Sequence, residues 1–101
     1  MIQVSGSAIT AIRGNTGRVL LKLSNYNLTS GDRVVFLTKD KVGGETIFSV
    51  EITSFIGGDA IIYFTSDNLG TVGTFVYDVT IYFADGDIDT VAQGTLQVKP
   101  V

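Results

Sequence analysis

A chain of 101 residues with no cysteine and no histidine makes one domain around a single core. It lacks the side chains of Ser-His-Asp and Cys-His nucleophile systems and of nearly all transition-metal sites. Only 17% of residues are charged, the net charge is −3 and the seven basic residues are scattered; this argues against nucleic acid as a partner, because phosphate binding needs clustered Lys and Arg.

Val, Ile and Thr supply 34 of the 101 residues, a β-branched content that suits pleated surfaces. No stretch of ten or more residues shows helical spacing with caps. The first strand is expected in Ile2 to Ile12, broken near Ser5-Gly6-Ser7, with a turn over Arg13 to Gly17. The second runs from Arg18 to Ser24 with Val19, Leu21 and Leu23 inward. A loop over Asn25 to Asp32 leads to the third, Arg33 to Thr38. The charged, Gly-rich stretch Lys39 to Gly44 precedes the fourth, Thr46 to Ser54, with Phe48, Val50 and Ile52 inward. Gly57-Gly58-Asp59 turns the chain into the fifth, Ala60 to Thr65, which is apolar on both faces. Ser66 to Gly70 suits one helical turn crossing between sheets.

The last stretch, Gly73 to Val98, reads as one long hairpin. Phe75, Tyr77, Val79, Ile81 and Phe83 alternate with their neighbours at the period of two of a half-buried strand. Asp85-Gly86-Asp87 supplies the turn, and Leu96 and Val98 continue the alternation on the return arm. The expected core is Leu21, Leu23, Val50, Ile62, Phe75, Tyr77, Val79 and Ile81. About seven antiparallel strands with turn signals between them give an all-β chain, an immunoglobulin-like β-sandwich, 1–101 forming a single domain. A small closed barrel is the structural alternative.

The order of these features resembles the immunoglobulin-like domain at the N-terminus of phage baseplate upper proteins and of related phage tail and virion proteins. The resemblance rests on an opening Gly-rich strand and turn, on Val19-Leu20-Leu21-Lys22-Leu23, and on Gly58-Asp59-Ala60-Ile61-Ile62-Tyr63-Phe64-Thr65. It continues in Gly73-Thr74-Phe75-Val76-Tyr77-Asp78-Val79, the acidic Gly turn and Gly94-Thr95-Leu96-Gln97-Val98, and so covers nearly the whole chain. It implies a non-enzymatic bacteriophage virion structural or assembly module of the tail, baseplate or head, acting through protein–protein contacts, made in the host cytoplasm and located in the virion. Other virion proteins would be its partners. Phe75 stands where sandwiches of this type often carry a tyrosine bonded back to the backbone, so that bond is expected to be lost. No receptor-binding or coiled-coil segment follows Val98, which implies a small accessory piece or an excised module.

The start, Met1-Ile2-Gln3-Val4, has neither a basic region nor a long apolar run, so no signal peptide is expected. No run approaches the ~18 apolar residues of a membrane span, so no membrane contact is expected either. Absence of cysteine fits assembly inside a cell without excluding an extracellular life.

Reactive groups are sparse. Glu51 sits between inward Val50 and Ile52 and reads as part of a solvated strand face. Gly43-Gly44 and Gly57-Gly58 lack the strand-to-helix context and the lysine of a phosphate loop. Asp85, Asp87 and Asp89 have the 1-3-5 spacing of calcium ligands, but Thr90 and Leu96 stand where an EF-hand needs glycine and glutamate; an acidic hairpin tip that keeps edges soluble explains them better. Asn27-Leu28-Thr29 matches a glycosylation acceptor and, with no secretion signal, reads as coincidence. Tyr26, Tyr63 and Tyr82 are candidates for stacking on sugars, so the alternative function is a carbohydrate- or cell-surface-binding β-sandwich module. No catalytic residue, cofactor or metal is expected.

The apolar pattern also points to association. Val34-Val35-Phe36-Leu37 and Ala60 to Phe64 have no polar alternation, whereas a sandwich buries only one face of each sheet. Leu20, Ile61, Tyr63, Val76 and Tyr82 are therefore the candidate interface residues, expected to share an exposed apolar surface, and a homo-oligomer is expected.

Overall fold

Alternation at a period of two turns directly into strands along this chain. In the computed structural model, which describes residues 3–5 and 7–101, eight strands follow one another: β1 (Gln3–Ser5), β2 (Ala8–Ile12), β3 (Gly17–Leu21), β4 (Arg33–Lys39), β5 (Thr46–Ile52), β6 (Ala60–Phe64), β7 (Gly73–Tyr82) and β8 (Ile88–Lys99). One sheet has the order β1-β2-β8-β7-β4-β5, and β3 and β6 pair alone as a second sheet. The fold is all-β and sandwich-like, with layers of very unequal width.

The opening strand divides near the expected break into β1 and β2, which pair with each other; its expected start at Ile2 and the residue Gly6 lie outside the described residues. The expected seven antiparallel strands need correction: there are eight among the described residues, and the sheet is not wholly antiparallel. β2 runs parallel to β8, with Ile9 opposite Leu96 and Ala11 opposite Val98. A parallel neighbour needs a long connection, and here the rest of the domain supplies it.

The second strand stops at Leu21 rather than Ser24. The Asp59 Oδ1 accepts the backbone N–H groups of Leu23 and Ser24 at 2.9 and 3.2 Å, which draws the chain out of the ladder and into a short 3-10 turn over Ser24–Tyr26. Ser66 to Gly70 does carry the chain from the small sheet to the large one. It closes as hydrogen-bonded turns: Thr65 N–H donates to Asn68 Oδ1, and Asn68 N–H to Thr65 Oγ1. These bonds drop Leu69, fully buried, between the layers.

The unalternating runs resolve into alternating burial. Val34 and Phe36 point inward and are fully buried, while Val35 and Leu37 lie half-buried on the outside. Ala60, Ile62 and Phe64 point inward from β6, and Ile61 and Tyr63 outward. Phe36 stacks on Tyr77 at 4.7 Å between ring centroids and meets Phe64 edge-on at 5.3 Å, joining the two sheets. Of the expected core, Leu23, Ile62, Phe75, Tyr77, Val79 and Ile81 are buried. Leu21 and Val50 are only half-buried, because Leu21 borders the open cleft beside β3 and Val50 the groove between β5 and β6. Inside the core the Thr38 hydroxyl has no hydrogen-bond partner among the described residues.

Phe75 has no hydroxyl to make such a bond, and the tyrosine two residues later makes a different one, to the far end of the chain. The Tyr77 hydroxyl donates to the Ser7 carbonyl at 2.7 Å, pinning the β1–β2 turn onto β7 and β8. Burial pushes this phenol above its ordinary value of 10.

Asp32 ties two loops together. Its carboxylate accepts the Thr29 N–H at 2.8 Å and, through its other oxygen, the Ala84 N–H at 2.8 Å. The Thr29 N–H, then the Ala84 N–H and the Thr29 hydroxyl, hold its carboxyl below the ordinary 3.8, against an opposing effect of burial. A lowered folded value means that this stabilisation is complete above the unfolded pKa and fades as pH falls through the folded one. Urea midpoints are therefore expected to drop below about pH 4. Asp32→Asn should lower the midpoint at pH 7 and flatten this acid dependence; an unchanged acid slope would rule Asp32 out as its source.

Candidate functional site

A two-stranded sheet laid over six strands leaves both of its long edges next to open space. Among the described residues β3 pairs only with β6, and β6 only with β3. Beyond β6, a groove of about 320 Å³ separates it from β5; Ile52, Ile56, Ile61 and Tyr63 line it. Beyond β3, a cleft of about 470 Å³ opens onto the inner face of the large sheet, with Val19 and Leu21 on one wall and Tyr77, Val79, Val91 and Ala92 on the other. That volume is in the range of ligand pockets. The polar residues Ser7, Lys22 and Asn25 also line the cleft.

The candidate interface residues do not form one surface. Leu20, Ile61 and Tyr63 come together on the outer face of the small sheet, where Leu20 is directly opposite Ile61 and Tyr63 opposite Arg18. Ile56, which no periodicity singles out because it lies in a turn, joins them at the groove. Ile56, Tyr63 and Leu20 are 70%, 58% and 52% exposed. Val76 and Tyr82 belong to the opposite side of the molecule, on the outer face of β7, and are half-buried. The Arg33 guanidinium lies 4.3 Å from the Tyr82 ring centroid and covers it. Val76 is flanked by Lys39 and Thr95. The physical reason is topological: β7 and β6 lie in different sheets, so residues outward on each face away from one another.

The other candidates are equally scattered. Tyr26 packs against the core, Tyr63 is on the small sheet and Tyr82 is under Arg33, so the three tyrosines make no common platform. The Asp85 carboxylate accepts the Asp87 N–H at 2.9 Å within the hairpin turn, where Gly86 takes a φ of 100°. Asp89 lies along β8 opposite Ile81. Among the described residues no three acidic side chains gather as they would around a metal ion. Glu51 is outward and exposed, 3.8 Å from Arg33, an exposed pair of little energetic consequence. No helix among the described residues is long and apolar enough to cross a membrane. Compared with known protein families, with curated proteins and with solved structures, the chain matches none.

Proposed function

We propose that this chain is a non-enzymatic structural or assembly module that works through protein–protein contacts, and that it serves as a part of a bacteriophage virion. The observation that carries the docking role is the outer face of the small sheet, where Leu20, Ile61, Tyr63 and Ile56 present adjoining apolar surface. Exposed apolar surface that is contiguous, rather than scattered residue by residue, marks contact sites. The virion assignment rests on the resemblance of the chain's strand and turn order to the phage immunoglobulin-like domains. The sheet order supports that reading, since β8-β7-β4-β5 facing β3-β6 follows the G-F-C-C′ over B-E layering of immunoglobulin-type sandwiches.

Self-association is the form this contact takes in the absence of other virion proteins. Light scattering at tens of micromolar is expected to give a mass above that of the monomer, returning to the monomer with Tyr63→Ser and Ile56→Ser together. A wild-type monomer throughout this range would sink the homo-oligomer, and absence of the protein from purified particles would sink the virion role.

A further inference from the structure

Among the described residues one edge of β3 has no strand beside it. An edge strand presents unpaired N–H and C=O groups to any extended chain that approaches. At β3 those groups border the cleft over Tyr77, Val79, Val91 and Ala92. A strand added there gains a ladder and, on its inward side, apolar burial as well. Leu21 shows what is missing: it points toward the core yet stays only half-buried, because among the described residues no strand pairs with β3 on that side.

The charges decide what fits. Arg18 in β3 and Lys22 just after it are both exposed, and the ion pair among the described residues, Arg33 with Glu51, uses neither. Like charges placed directly opposite each other on paired strands are destabilising and opposite charges stabilising. Arg18 and Lys22 therefore reject the β3 edge of a second copy and favour carboxylates on the outward positions of an added strand.

We propose that the β3 edge is a strand-addition site for an extended segment of a partner protein, roughly the length of β3 itself, with apolar residues facing the cleft and acidic residues alternating outward. Backbone pairing gives affinity and the alternate side chains give selectivity, as in other strand-addition complexes. This site is distinct from the outer apolar face, and either can fail alone.

The test uses the full chain, isotopically labelled, and two synthetic peptides: acetyl-Glu-Val-Glu-Val-Glu-Val-Glu-amide and its counterpart with lysine in place of every glutamate. The acidic peptide is expected to slow amide exchange along β3 and to shift the signals of Val91 and Ala92. The lysine peptide should bind at least about tenfold more weakly, a difference of about 1.4 kcal/mol, because it sets like charge against Arg18 and Lys22 where the acidic peptide sets opposite charge. Arg18→Glu with Lys22→Glu, both exposed and expected to leave the melting midpoint nearly unchanged, should invert the preference. Ile56→Ser should leave peptide binding intact, separating this site from the outer face. Equal binding of both peptides, protection along β5 instead of β3, or no binding at millimolar peptide would each overturn the proposal.

Discussion

Phe36→Ala is expected to destabilise the domain by about 4–5 kcal/mol, the upper end of the range for aromatic truncation in a core. Phe36 is fully buried in the middle of β4. Its ring is stacked on Tyr77, edge-on to Phe64 and 6.4 Å from Phe48 between centroids. Tyr77 and Phe48 belong to the large sheet and Phe64 to the small one, so removing the ring opens a cavity at the point where the layers meet. Each aromatic pair adds roughly 0.5–1.5 kcal/mol beyond the area it buries. A domain of this size has a total stability of only about 5–15 kcal/mol, so the variant loses a large share of it. Phe48→Ala, at a half-buried position on edge strand β5, should cost less, because water already reaches the site and surrounding side chains can relax into the gap. Urea unfolding followed by fluorescence and by circular dichroism would measure both. A loss below about 2 kcal/mol for Phe36→Ala, well under the range for such a truncation, or an equal loss at Phe48, would mean that the contact between layers is not centred on Phe36.

What the sequence made legible was local. The hairpin from Gly73 onward could be read because its buried face is marked by regular alternation, which fixes strand, phase and turn together. In β4 and β6 both faces are apolar, and the sequence alone could not say which of Val34-Val35-Phe36-Leu37 faces inward. The structure settles it through pairing: Val34 and Phe36 lie opposite Ile81 and Val79 of β7, whose phase was legible. Sheet membership was not written locally at all. Val76 of β7 and Ile61 and Tyr63 of β6 look alike as outward apolar positions, but a crossover between β6 and β7 sends them to opposite sides of the molecule. The parallel contact between β2 and β8 joins segments near the two ends of the chain, a separation over which no periodicity speaks. The cleft beside β3 follows from the width of the second sheet, which depends on how many strands join it and not on any one residue.

The second large effect is expected at a residue with no side chain. A Cβ placed on Gly94 would overlap the Ser7 carbonyl oxygen and come within 2.9 Å of its carbon. These are backbone atoms, which cannot swing aside as a side-chain tip can. Gly94 lies in β8 opposite Tyr77, and the same carbonyl accepts the Tyr77 hydroxyl. Gly94→Ala must therefore push the β1–β2 turn off the hairpin and break that bond in one step. Overpacking costs about 1–3 kcal/mol and the lost hydrogen bond about 1 kcal/mol, so a total loss of roughly 2–4 kcal/mol is expected. Tyr77→Phe alone removes the bond without the clash and should cost about 1 kcal/mol. The two changes share one carbonyl, so they should not add. In the Gly94→Ala background, Tyr77→Phe should have little further effect, leaving a coupling close to the whole hydrogen bond. Amide exchange should report the same event as faster exchange in β2, with β4 and β7 unaffected. Full additivity of the two variants would show that the turn stays docked when Gly94 gains its methyl group, and that the close approach at Ser7 relaxes some other way.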